Sequence, residues 1–271
     1  MAKLYFLGNT TKVQMLGIVI ESDGHVAVID GGSFGDRRRL EDLLLEINGG
    51  HVDAWFFTHP HHDHIGAFYK ILRHSSAISI DKIYHHFPSL DELKEYGSRH
   101  EGEIALWEGL FSRLEGDLRD KINILNEGDV FSLGKVKISV LRTYNERILD
   151  NFVNNSSTVY RVAGEKSSVL VLGDLGREGG DEVKEKYTPD DLKADYTQMA
   201  HHGQGGVSRD FYEYIRPKCC LWPSPDWLYD NDNGEGFDTG PWHTVRTREW
   251  IAELGVSEHI VEKDGTRIIE I

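Results

Sequence analysis

The chain has 271 residues, 39% hydrophobic and 28% charged, with a formal net charge of −15 at pH 7. This length and mixture suit one layered α/β unit with a sizeable core, domain 1–271, and exclude a disordered or membrane-embedded chain. The acidic balance makes nucleic acid an unfavourable partner, because phosphate contacts need clustered Lys and Arg.

The first nine residues carry an apolar run too short for a signal-peptide core. No later stretch approaches the roughly twenty apolar residues of a membrane span, so no membrane role and a cytoplasmic location are expected. Strands are predicted over 13–21 and 26–29, then a helix over 37–47 that carries Arg37, Arg38 and Arg39 on its solvated face. A strand over 54–57, a helix over 65–73 and a strand over 82–84 follow. An amphipathic helix over 90–114, within an insertion at about 88–118, either covers a site as a lid or packs one face on the body. Strands are predicted over 136–141, 158–162 and 168–172, a helix over 181–192, a strand over 196–199 and a helix over 209–215. The strand over 218–222 holds Cys219 and Cys220, neighbours that a structural disulfide would strain, so both are expected as buried thiols. A loop over 222–242, a helix over 244–254 and a strand over 266–271 complete an α/β sandwich.

The polar candidates fall just after strands: Asp30, the run His59-Pro60-His61-His62-Asp63-His64, Asp174, and His201-His202. Strand ends in layered α/β proteins open onto ligand crevices, so these groups can converge at one rim. Four histidines and an aspartate within six residues are a dense set of donors for first-row divalent ions. A bend after the strand can aim His59 and His61 at one ion while Asp63 and His64 turn toward another.

The segment Thr58 to Gly66, with Asp30-Gly31-Gly32 before it and Gly173-Asp174 and His202-Gly203 after it, resembles the metallo-β-lactamase superfamily. The resemblance implies an αββα sandwich that holds two divalent metal ions, zinc favoured and manganese or iron compatible with the donors. His59 and His61 would bind one ion, Asp63, His64 and His202 the other, with Asp174 bridging and Asp30 orienting a ligand from behind. Two ions that share a carboxylate activate water for hydrolysis, with Asp63 also counted as catalytic.

The chain departs from the family in one place. The histidine usually found between the central motif and the bridging aspartate is missing from 151–159, which reads Asn-Phe-Val-Asn-Asn-Ser-Ser-Thr-Val. The Asn154-Asn155-x-Ser157 pattern and the paired histidines are similar to a branch that includes the hydrolase domain of the DNA-uptake competence protein and the teichoic-acid phosphorylcholine esterase. That branch implies phosphodiester hydrolysis of a small or medium phosphorylated substrate, with His201 on the substrate, Asn154 and Asn155 beside the site, and His243 either protonating the leaving oxygen or at the surface. Trp227, Tyr229, Phe237 and Trp242 lie among carboxylates and either pack or form a cage for a cationic headgroup. Hydrolysis of a carboxylic ester, lactone, thioester or β-lactam at the same ions, and a metal-binding module without catalysis, are the alternatives. The sequence carries no signal for oligomeric state.

Overall fold

A computed structural model describes residues 1–98 and 100–271. One sheet is built from β1 (Lys3–Phe6), β2 (Gly17–Ser22), β3 (His25–Asp30), β4 (His51–Phe56), β5 (Ser79–His85) and β6 (Ile122–Ile124). The other contains β7 (Val130–Leu133), β8 (Val136–Arg142), β9 (Val159–Ala163), β10 (Ser168–Val171), β11 (Tyr196–Gln198), β12 (Cys219–Trp222) and β13 (Glu258–Val261). The final strand, β14 (Arg267–Glu270), returns to pair with β1, giving two seven-stranded sheets ordered β14-β1-β2-β3-β4-β5-β6 and β13-β12-β11-β10-β9-β8-β7.

Strict alternation in the hairpin β2–β3 sets the layers. Ile18, Ile20, Ala27 and Ile29 face the second sheet, while Val19, Val26 and Val28 face outward to the helices, so both faces are buried. The turn at Asp23-Gly24 has positive φ at both positions, 53° and 85°, whose twist matches that of the flanking strands. Between the sheets Phe56 stacks on Tyr84 at 4.7 Å and meets Tyr160 edge-on at 5.8 Å. Helices α1 (Arg37–Asn48), α2 (His62–His74) and α3 (Glu101–Glu115) cover the first sheet around Trp55 and Phe68. Helices α4 (Arg177–Lys186), α5 (Arg209–Ile215) and α6 (Thr244–Glu253) cover the second around Phe211 and Trp222. The architecture is an αββα sandwich. Among the described residues no helix is long and apolar enough to cross a membrane.

Several elements differ from the sequence expectation. The helix expected over 90–114 is broken: Ser89 caps a turn at Leu90–Glu92, a π-turn runs through Leu93–Gly97, and α3 starts afresh at Glu101. Gly97 packs so closely that a Cβ there would stand 2.9 Å from Trp107 and Val153, so a side chain would not fit. The helix expected over 181–192 ends at Lys186, and Thr188 caps a separate turn led by Pro189. Strand β2 starts at Gly17, leaving Val13 exposed. Of the three arginines placed on a solvated face only Arg38 is exposed, since Arg37 pairs with Glu41 at 3.0 Å and Arg39 lies over the sulfur of Met15 at 3.8 Å. Strands β1, β6, β7 and β13 were not expected: β6, β7 and β13 are short and largely exposed, and β1 is buried but only four residues long. Cys219 and Cys220 are free and buried.

Strands β3 to β6 run parallel, as do β10 to β13, so their carboxyl ends place Asp30, the histidine motif, Asp174 and the paired histidines on one edge. Helix α3 is pinned over that edge by Trp107, which is fully buried and donates its indole N–H to the Pro60 carbonyl at 2.7 Å. Trp107→Ala is therefore expected to destabilise the chain by about 3–5 kcal/mol in urea unfolding. Trp107→Phe, which keeps most of the buried volume, should cost less than half as much.

Candidate metal centre

The site is assembled around a buried turn. Asp30 ends β3 with a φ of 60° and is followed by Gly31 and Gly32 at 134° and 100°, a left-handed run that swings the Asp30 side chain across to the next strand. Its carboxylate accepts the Thr58 backbone N–H at 2.8 Å, the Thr58 hydroxyl at 2.7 Å and the His64 Nδ1–H at 2.8 Å. The Trp55 indole donates to the Asp30 carbonyl at 2.7 Å. The loop after β4 and the first turn of α2 are thus fixed to β3 before any ligand arrives.

Two donor sets then meet. Asp63, His64, Asp174 and His202 form one, and His59, His61 and Asp174 the other, each with its donor atoms within 4.8 Å of one another. Asp174 belongs to both. Its Oδ1 lies 3.2 Å from His64 Nε2, and its Oδ2 lies 3.3 Å from His202 Nε2 and 3.7 Å from His59 Nε2. His202 Nε2 also lies 3.2 Å from Asp63 Oδ2, and His59 Nε2 lies 3.0 Å from His61 Nδ1. His62 points away and is exposed.

The outward ring nitrogens have partners too. His64 donates to Asp30, His202 Nδ1 donates to the Pro223 carbonyl at 2.7 Å, and His59 Nδ1 lies 3.1 Å from Thr58 Oγ1 and 3.3 Å from Ser157 Oγ. His61 turns Nε2 toward Glu103 of α3, 3.9 Å away. Such outer partners fix the tautomer and aim of a ligating imidazole. Gln14 adds another contact, donating to Asp63 Oδ2 at 2.8 Å and accepting from Gln204 at 3.2 Å. Sequence reasoning missed Gln14 and Glu103, because neither lies in a motif and only the packing of distant segments brings them to the site.

The paired histidines sit in strained backbone. His201, His202 and Gly203 all have positive φ, 50°, 56° and 82°. For the two histidines this costs roughly 1–2 kcal/mol each, the kind of strain that persists where surrounding contacts hold a functional turn. Trp222 lies against Gly203 so closely that a Cβ would stand 2.5 Å from its ring. His201 faces Asn154, with its Nε2 3.4 Å from the Asn154 amide nitrogen. His201 Nδ1 and Asn154 Oδ1 are buried without a hydrogen-bond partner.

The segment that lacks a histidine is occupied by a short helix, Phe152–Asn155, that the sequence reading left open. Ser157 Oγ accepts the Asp174 N–H at 3.0 Å as well as facing His59, so this serine positions both donor sets. Asn155, expected beside the site, is taken up by backbone contacts. Its side-chain oxygen accepts from Gly176 and Gly179 and its nitrogen donates to the Asp150 carbonyl and Glu178, so it latches the start of α4.

Of the two readings of the loop over 222–242, the geometry favours packing. Tyr229 packs against Trp222, and the guanidinium of Arg248 covers its ring at 4.1 Å, so the chain's own cation takes the place a headgroup would need. Phe237 is exposed. Trp227 packs edge-on against Trp242 at 4.7 Å, donates to the Lys12 carbonyl at 2.7 Å, and borders a cavity lined by Lys12, Lys263 and Asp226. Two lysines there disfavour a cationic ligand. His243 is exposed at the start of α6, beside Gly205.

The charges of the cluster suit metal binding. Burial opposes protonation of His64, but Asp174 and Asp30 outweigh it and raise its pKa to about 10. Burial likewise opposes, and Asp174 and Asp63 raise, His202 well above the usual range. Burial, then the nearby His64, holds His59 well below, and burial lowers His61. Against the effect of burial, the histidines keep Asp63 and Asp174 well below ordinary carboxylates. Yet His64 Nε2, His202 Nε2 and Asp174 Oδ1 are buried with no hydrogen bond although they converge. Buried polar atoms left unpaired are costly, and two divalent ions would satisfy all three. The residues present therefore fit a two-metal centre.

The metallo-beta-lactamase superfamily profile matches residues 13–217. The chain belongs to that superfamily. Among solved structures, this metallo-beta-lactamase fold is similar to the fold protein YhfI from Bacillus subtilis, at 13% identity over 100% of both chains with a TM-score of 0.58. A diphosphatase from the PhnP family aligns over 100% of this chain and 98% of its own, at 13% identity and a TM-score of 0.52. The diiron beta-hydroxylase CmlA from Streptomyces venezuelae aligns over 100% of this chain but 54% of its own, at 12% identity and a TM-score of 0.52. At these identities the likeness is one of fold. Comparison with curated proteins gives no match.

The geometry ranks substitutions of this chain. Asp174→Ala should abolish uptake of both ions, His62→Ala should leave uptake intact, and Glu103→Gln should weaken the His59/His61 site by about 10–100-fold, all read by metal titration. Equal losses for Asp174→Ala and His62→Ala would show the wrong residues at the centre.

Metal uptake should also release protons. With His64 and His202 protonated in the metal-free chain, each must lose a proton to ligate, so affinity rises with pH through neutrality up to about 10, the His64 value, and falls as pH drops. Calorimetry in buffers of different ionisation enthalpy should give about two protons near pH 7. A heat independent of buffer would contradict this.

Proposed function

We propose that the chain is a dinuclear metal-dependent phosphodiesterase acting on a small or medium phosphorylated substrate. The observation that carries this reading is the pair of unpartnered polar groups, His201 Nδ1 and Asn154 Oδ1, buried next to a donor set that brings only three side chains, His59, His61 and Asp174. A site with three protein ligands leaves coordination open for water and a substrate oxygen. When bound, two divalent ions supply an activated water and stabilise the charge that builds on the phosphoryl oxygens.

The chain's own residues do the rest. His201 is held neutral, its pKa lowered by burial although Asp174 opposes this, so an N–H can donate to a non-bridging oxygen without adding charge. Asn154, held by Asn151 at 2.9 Å, keeps the imidazole in place. Asp63 is held by Gln14 and oriented beside His202, and we assign it as both ligand and acceptor for the proton of the incoming water. His243 lies at the exposed rim, and we place the leaving group on that side. We favour zinc over manganese or iron from the histidine-rich donors, and a cytoplasmic setting from the two free thiols. A cationic headgroup is not part of this reading, because Arg248, Lys12 and Lys263 occupy the loop that would receive it.

A substrate panel tests it. The zinc-loaded chain should hydrolyse bis-para-nitrophenyl phosphate at least about tenfold faster than lactone, thioester or β-lactam substrates, and His201→Ala should lower kcat by about 10²–10³ with both metals retained. Preference for a carboxylic ester or lactam, or full activity in His201→Ala, would overturn the phosphodiester reading. Full metal content without turnover on any of them would leave a binding module.

A further inference from the structure

A second cluster of imidazoles and carboxylates lies at the other end of the parallel strands. His25 opens β3, His51 opens β4 with Asp53 two residues on, and Asp81 is the third residue of β5. The metal centre stands at the carboxyl ends of β3 and β4, so about 15–20 Å of strand separates the two places.

The donors converge without help from loops. His51 Nε2 lies 3.4 Å from Asp81 Oδ2 and 4.0 Å from Asp53 Oδ1, and His25 Nδ1 lies 2.7 Å from that same Asp53 oxygen. Donor atoms of His51, Asp53 and Asp81 all fall within 4.8 Å of one another. The other Asp53 oxygen accepts the Val26 N–H at 2.8 Å, which fixes the carboxylate against the neighbouring strand. His51 Nδ1 sits 3.2 Å from Ser79 Oγ, its register partner, and this leaves Nε2 facing the cluster. His25 and Asp53 also wall a cavity of about 270 Å³ between the sheets, backed by Phe56, Tyr84 and Phe131.

We propose that His51, Asp53 and Asp81 form a separate mononuclear site for a divalent transition ion of the zinc class, with His25 holding the Asp53 carboxylate. One imidazole and two carboxylates give an NO₂ set whose charge of about −2 balances a dication. Donors bound at roughly 2.0–2.1 Å around a tetrahedral ion stand about 3.3 Å apart, within the spread seen here. The ligands and His25 sit on three adjacent hydrogen-bonded strands, so an ion would clip the amino-terminal ends of β3, β4 and β5 together. The adjoining cavity gives room for a water on the ion. Surface ion pairs would account for His25 with Asp53 and for His51 with Asp81 separately; a shared ion accounts for all three donors of His51, Asp53 and Asp81 falling together.

The test is local and does not depend on turnover. Zinc is titrated into the intact chain while the imidazole NMR signals of His25 and His51 are followed. Both should move together along one saturating curve. His25→Ala and Asp81→Asn, at side chains that are 54% and 60% exposed, should each weaken zinc binding read at His51 by at least about tenfold while phosphodiester hydrolysis stays unchanged. Signals that do not move with several-fold excess zinc, that move independently, or that respond in both variants as they do in the unsubstituted chain would overturn the proposal. None of these outcomes bears on the two-metal centre.

Discussion

The Asp30 carboxylate is fully buried at the end of β3 and takes three hydrogen bonds, two from Thr58 and one from His64. A buried carboxylate left unpaired would cost several kcal/mol, so the loop after β4 must close onto it for the chain to fold. Closing that loop delivers His59 and His61 at the end of the strand and starts α2 with Asp63 and His64 in its first turn. The same contact that completes the first sheet therefore aims four of the six metal donors.

The second sheet contributes the other two, Asp174 and His202, by a similar route. Ser157 holds both His59 and the backbone of Asp174, and Gly173 at a φ of 57° lets the chain pass close to Thr58 and Ser157. Asp174 is thus placed by a contact between sheets. Beyond β11, the left-handed turn at His201-His202-Gly203 presents two successive imidazoles to different places: His202 to the donor set and His201 to Asn154.

Stability and function draw on the same parts. The cluster gathers like charges, Asp30, Asp63 and Asp174, within one buried rim, and in the metal-free chain the raised pKa values of His64 and His202 offset them. Helix α3 closes the rim through Trp107 on Pro60 and brings Glu103 toward His61 one turn earlier on the same helix. A helix inserted between β5 and β6 so becomes both a structural brace and a wall of the centre.

The sequence alone determined the motif that holds most of the donors, the α/β layering, and the grouping of Asp30, residues 59–64, Asp174 and His202 at strand ends, because these depend on local order: a strand, then a turn, then a polar side chain. Hydrophobic alternation likewise exposed most strands with two buried faces. It did not reveal β1, only four residues long, or β6, β7 and β13, whose edges are half exposed and carry no buried run, or the break near Gly97, where Trp107 and Val153 fill the space a side chain would need. Gln14, Glu103 and the true work of Asn155 were also hidden, since each is defined by a partner tens of residues away. Aromatic composition suggested a cation cage over 222–242, and only the tertiary structure showed Arg248 already on the Tyr229 ring. Local pattern names the groups capable of chemistry; which of them meet, and which are taken up by packing, is decided by long-range contacts that a linear sequence does not display.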